Sequence, residues 1–161
     1  MPPFIPEGLF PVSATKPVTS NGGVTADYIS VKNAEYVWIV VHMTQTVGHA
    51  TAVSPKRATA VAGTGVAALG TAVPIWYGNV TTSTNALAEQ TAAVNFTLDV
   101  GVTGDVYVIF GIDPATLGST YDVLGLAVAD SSQATNFVEA TYWIKPRYVQ
   151  TPDNNISYIV D

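Results

Sequence analysis

Tyr36-Val37-Trp38-Ile39-Val40-Val41-His42 is apolar or aromatic at every position but the last. Its β-branched and aromatic residues favour a pleated strand, and apolar side chains on both faces suit a central strand covered from two sides. Upstream, Thr25-Ala26-Asp27-Tyr28-Ile29-Ser30-Val31-Lys32 alternates, with Ile29 and Val31 on one face, and Asn33-Ala34-Glu35 reads as a turn. Downstream, Gly48 interrupts the run and 49–53 can resume it. Strand-like runs follow at 72–77, 92–100, 105–112, 122–129 and 136–145. The stretch 79–90 reads as a loop and 113–117 as a single turn. About eight strands separated by turn residues predict an all-β protein, a β-sandwich or jelly roll. One helix is expected. Ser54 can cap it, Pro55 suits its first position and Gly63 can stop it, which predicts a short helix near 55–62.

Both ends read as extended arms. Pro2, Pro3, Pro6, Pro11 and Pro17 each fix φ and remove a donor, so residues 1–23 are expected to form an arm ending in the turn Ser20-Asn21-Gly22-Gly23. That arm is apolar, through Phe4, Ile5, Leu9 and Phe10, and needs a surface to cover it. Residues 24–146 are then the sandwich domain and 147–161 an extended tail, whose Tyr158, Ile159 and Val160 can add to a sheet edge. These seven residues are the expected partner contacts. Residues 1–12 are expected to pack on a partner and to be dispensable for folding.

Composition narrows the function. The 161 residues contain no cysteine, which removes disulfides, thiolate metal sites and cysteine catalysis and fits manufacture in a reducing cytosol. Charged residues are only 11% of the chain, with a net charge of −6. With 6 basic residues there is little to neutralise phosphates, so neither nucleic acid nor an anionic membrane is an expected partner. No run is long enough to span a bilayer, and the proline-broken N-terminus does not read as a signal peptide. Such low charge fits a surface that packs against other subunits, since interface cores are depleted of charge. A threonine-rich all-β surface without a partner explains it equally well.

No complete catalytic set is visible, and no enzyme, metal or cofactor is expected. His42 and His49 flank 43–48 and could face each other across a hairpin loop, but two histidines without a third ligand make no zinc site. The carboxylates are scattered through turns, where Asp is ordinary turn chemistry. Gly63-Thr64-Gly65 completes neither a dinucleotide fingerprint nor a phosphate loop. Trp38 and Trp143 lie in expected strands and read as core residues, which leaves Trp76-Tyr77 as the aromatic pair to consider for a binding face.

Several runs together carry a resemblance over nearly the whole chain. They are Ile5-Pro6-Glu7-Gly8-Leu9-Phe10-Pro11-Val12, Asn21-Gly22-Gly23-Val24-Thr25-Ala26-Asp27-Tyr28-Ile29-Ser30-Val31-Lys32-Asn33-Ala34, Val37-Trp38-Ile39-Val40-Val41, Gly48-His49-Ala50-Thr51-Ala52, residues 56–65, and Asp130-Ser131-Ser132-Gln133-Ala134-Thr135-Asn136-Phe137-Val138. The chain resembles small virion structural proteins of tailed bacteriophages, encoded near the capsid genes, and within that group capsid decoration (cement) proteins. The resemblance implies a protein on the outside of the capsid that stabilises the shell, with the major capsid protein and copies of itself as partners, often as a trimer. It identifies no active site. A tail-tube or head–tail connector protein, and a carbohydrate-binding module on the virion surface, are the competing readings.

Overall fold

A computed structural model describes residues 8–80 and 86–148. The decisive run lies in a twelve-residue strand, β4 (Ala34–Gln45), whose alternate residues Val37, Ile39, Val41 and Met43 are fully buried. The residues between them, Tyr36, Trp38, Val40, His42 and Thr44, are only half-buried. The strand is therefore covered on one face by core and not on the other.

The remaining described strands are β1 (Phe10–Thr19), β2 (Val24–Thr25), β3 (Ile29–Ser30), β5 (Ala52–Ala58), β6 (Ala67–Ala68), β7 (Val73–Asn79), β8 (Ala88–Ala93), β9 (Phe96–Thr97), β10 (Gly104–Ile112), β11 (Val123–Val128) and β12 (Phe137–Pro146). The larger sheet has the order β1-β12-β4-β10-β7-β8. The smaller is β2-β11-β5-β6, with β3 also on β11 and β9 also on β5. Every strand pair is antiparallel. The expected all-β sandwich is thus the fold, and helix is confined to a 3-10 turn over Pro114–Leu117 among the described residues. That turn is capped by the Asp113 carboxylate, which accepts from the Ala115 N–H at 2.9 Å.

The core lies between the sheets. Val106, Val108, Phe110 and Ile112 of β10 and Val138, Ala140, Tyr142 and Ile144 of β12 flank the inward residues of β4, and Leu124, Leu126 and Val53 face them from the smaller sheet. Each aliphatic side chain fully removed from water here contributes about 1.5–3 kcal/mol. Tyr142 is fully buried, and its hydroxyl donates to the Asp27 carbonyl at 2.8 Å, so the phenol leaves no orphaned polar atom. Burial pushes its ionisation well above the ordinary tyrosine range.

Three expectations are corrected. The helix near 55–62 is instead β5 followed by a turn closed by Thr59 N–H to Thr64 O and Gly63 N–H to Ala60 O. Ser54-Pro55 mimics a helix start, yet Pro55 sits where one flank of β5 has no partner. On that flank β9 pairs with 52–53 and β6 with 56–57, so the missing donor breaks no ladder there.

The arm over 1–23 is the second correction. Residues 10–19 are an edge strand of the larger sheet, paired along β12, and Phe10, Val12 and Ala14 point into the core. Prolines 11 and 17 suggested an extended arm, but an edge strand tolerates proline because one side of its backbone faces solvent. The folded body therefore begins before residue 24, and Phe10 and Val12 belong to its core. The third correction is the loop expected over 79–90, whose last residues start β8.

Candidate interaction surface

The outward face of the larger sheet gathers the aromatic residues. Because Tyr142 and Ile144 point inward, Trp143 points out, and it is registered with Trp38 on β4. Trp38 is in turn registered with Gly111 on β10, and Ile109 with Trp76 on β7. Gly111 leaves room for the rings: a Cβ there would meet the Tyr36 hydroxyl at 2.5 Å and the Trp76 ring at 3.2 Å, so one of them would have to move. Tyr36 and Trp38 pack with ring centroids 4.7 Å apart. All three tryptophans of the chain therefore lie on one outward face with Tyr36, Val40 and Ile109, each half-buried. Trp38 and Trp143, expected in the core, are not there. An apolar run on both faces of a strand does not reveal which face the second sheet covers.

Charge sits at the two ends of this apolar band. At one end Lys145 pairs with Glu35 at 3.0 Å. At the other, His42 stacks on Tyr107 at 4.7 Å between centroids, its Nδ1 lies 3.2 Å from Glu139 and its Nε2 3.5 Å from Asp105. Thr44 donates to the same Asp105 carboxylate at 2.6 Å. A shallow recess of about 230 Å³ lies beside this cluster, lined by Pro17, His42, Thr44, Phe137, Val138 and Glu139. The pattern, an aromatic centre with a charged rim, is that of protein–protein interfaces.

The two histidines do not face each other. His49 lies beside Thr51, with Nδ1 3.4 Å from the hydroxyl. Trp76 and Tyr77 also part company: Tyr77 packs on Phe96 at 5.2 Å on the core side. Of the expected partner contacts, Phe10 is a core residue and Leu9 is half-buried beside it. Phe4, Ile5, Tyr158, Ile159 and Val160 lie outside the described residues.

A second site was not anticipated. Parts of three of the motif runs, at Gly22, at Ala52 and at 130–136, meet with the residues that follow β4 at one end of the sandwich. The buried Asn136 side chain donates to the Gln45 amide oxygen and the Val47 carbonyl, both at 2.8 Å, and accepts from the Val47 N–H at 3.0 Å. The Asn136 backbone carbonyl accepts from the Ser20 N–H at 2.9 Å, and the Ser20 hydroxyl donates to the Ser131 hydroxyl at 2.8 Å. Asp130 accepts from the N–H groups of Ser132 and Gly22, both at 2.6 Å, which holds its carboxyl below the usual range. Ser132 has φ +52°, a strained value for a residue other than glycine that the Asp130 bond supports. These are structural ties between loops, and no substrate chemistry follows from them. The signal for them in the sequence was the clustering of Asn, Ser, Asp and Gly in the motif runs.

No family model matches the chain, and no curated protein does. A crystal structure of SPBc2 prophage-derived protein YomS is similar to it with a TM-score of 0.47 and 12% identity, covering 84% of this chain and 91% of that one.

Proposed function

We propose that this chain is a structural protein of a bacteriophage particle that binds the outside of the capsid and stabilises the shell, with the major capsid protein and further copies of itself as partners. The observation that carries the reading is the outward aromatic face. A chain with 11% charged residues places all three tryptophans, Tyr36 and Tyr107 on one sheet face, with the Lys145–Glu35 pair at one end and the His42–Glu139–Asp105 cluster at the other. Tryptophan and tyrosine dominate binding energy at interfaces once water is excluded around them. Modest contacts of this kind, repeated over many symmetric copies, hold by avidity. The sequence resemblance to capsid decoration proteins supports the same role, and the reading assigns the protein binding and no catalysis.

The test is co-sedimentation with expanded and with immature shells. The protein binds expanded shells, and Trp38→Ala with Trp143→Ala abolishes that binding while leaving a cooperative unfolding transition. Equal binding by the double variant would contradict the reading.

The same face favours a second reading, a carbohydrate-binding module, because half-exposed aromatic rings beside carboxylates also suit sugar rings. Glycan-array binding lost in Trp76→Ala would support it over the capsid role.

A further inference from the structure

The recess at the His42 end of the outward face owes its wall to an irregularity in β1. Between the pairs Thr15–Ala140 and Val18–Val138, β1 supplies two residues, Lys16 and Pro17, against the single Glu139 of β12. Such a bulge bends the strand and re-aims its side chains. Pro17 thereby joins Phe137 and Val138 in an apolar lining, and Phe137 is 46% exposed. The volume, about 230 Å³, is below the ~300–1,000 Å³ of pockets that take free small molecules and suits one long side chain. The Glu139 carboxylate completes the lining. One of its oxygens lies 3.2 Å from His42 Nδ1, and the other has no donor among the described residues. At the other ring nitrogen of His42, Asp105 lies 3.5 Å away. Two carboxylates thus share one imidazole, and the group keeps a negative charge whether His42 is neutral or protonated. Lys16, on the same bulge, forms no ion pair among the described residues and does not neutralise it.

We propose that this recess receives an arginine side chain of the protein that the outward face meets. The inference rests on the reading of that face as a contact surface and adds the chemistry of what it contacts. Arginine has an apolar stem for Pro17 and Val138, a flat guanidinium to lie on the Phe137 ring, and a fork of N–H donors for Glu139. A cation over an aromatic face is attracted by the ring quadrupole. A hydrogen bond between two charged groups is about twice as strong as one between neutral groups. Lysine could fill the stem, but its ammonium is a strongly hydrated point charge that does not stack. The donor is not a second copy of this chain, because both of the chain's arginines are committed elsewhere. Arg57 lies 4.2 Å over the Tyr121 ring and donates to the Leu117 carbonyl, and Arg147 donates to the Ala34 carbonyl at 3.1 Å. Of the two partners proposed above, the arginine therefore belongs to the shell protein.

Two measurements on the full chain test this. The first needs no shells. The protein is titrated with N-acetyl-arginine methylamide, with the lysine analogue, and with the citrulline analogue, a neutral isostere of arginine, and backbone amide NMR shifts are followed. The arginine probe binds saturably in the millimolar range and moves the amides of His42, Thr44, Phe137 and Glu139. The citrulline probe moves none of them, and the lysine probe binds more weakly by about threefold or more. Glu139→Gln, close in shape, weakens arginine binding by about fivefold or more while the spectrum stays that of a folded protein. Equal shifts with citrulline, equal affinity for lysine, or arginine shifts only at other residues overturn the proposal. The second measurement is co-sedimentation with expanded shells, where Glu139→Gln lowers affinity by about fivefold or more. Shell binding that is unchanged in Glu139→Gln but lost in Trp38→Ala with Trp143→Ala overturns this inference and leaves the proposed function standing. A wild type that binds no shell yet takes the arginine probe in the recess overturns the proposed function and supports the recess as an arginine site.

Discussion

The two faces of β4 are made from one run of sequence and do different work. Inward, Val37, Ile39, Val41 and Met43 are small, flexible or β-branched side chains that fill a core with no exposure. Outward, Tyr36, Trp38 and His42 are wide rings that lie against each other and against β10 and β12 without being covered. A core needs volume matched to its neighbours, whereas a contact face needs area that survives in water until a partner arrives. The inner face therefore carries the fold, and we assign the outer one to binding.

The sharpest way to break this contrast is to truncate one residue from each face. Phe110→Ala on the inner face should lower stability by about 3–5 kcal/mol through transfer and cavity terms. Trp38→Ala on the outer face, with the ring already half in water, should cost only about 1–2 kcal/mol. Equal losses in chemical denaturation would erase the distinction between the faces.

Deleting residues 1–12 is the next test, and it separates core from arm. Loss of Phe10 and Val12 with the end of the β1–β12 ladder should cost about 3–4 kcal/mol, read from the denaturant midpoint. An unchanged midpoint would return this segment to the role of an arm.

The strands of the core were legible in the sequence, and the division of β4 into an inner and an outer face was not. β10, β11 and β12 declared themselves because their runs are rich in Val, Ile, Leu and aromatics and are bounded by turn residues. β8 did not, because Ala-Glu-Gln-Thr-Ala-Ala has little strand preference of its own and is a strand by pairing with β7. Ser54-Pro55 was misread because local chemistry permits a helix start, while the gap between β9 and β6 that accommodates Pro55 is set by tertiary pairing. Of the interaction surface, Trp76 was singled out. Trp38 and Trp143 were assigned to the core because a run that is apolar throughout does not say which side faces the second sheet. The loop ties were hidden by distance along the chain, since Ser20, Gln45 and Asn136 meet only after folding.

Those ties offer a finer test at the end of the sandwich. Asn136→Ala leaves the buried Gln45 oxygen and the Val47 carbonyl without their donor, and should cost about 1–3 kcal/mol in thermal or chemical unfolding. The smallest effect is electrostatic. Asp130 is held below its ordinary range by the backbone N–H groups of Ser132 and Gly22, so its contribution is present above the unfolded carboxylate range. It is lost as pH falls through the folded value. Asp130→Asn should therefore flatten the acid side of the stability–pH curve, and an unchanged slope would remove Asp130 from the account.

The central claim is that the aromatic face of the larger sheet is what meets the particle. Hydroxyl-radical footprinting read by mass spectrometry tests it directly, because Trp38, Trp76 and Trp143 are the only tryptophans of the chain and all lie on that face. Tyr28 and Tyr121, which border the smaller sheet through Gly125 and Arg57, serve as internal references. The account predicts that oxidation of all three tryptophans falls on binding to expanded shells while Tyr28 and Tyr121 react as in the free protein. Tryptophans that stay as reactive in the bound protein as in the free one would contradict it.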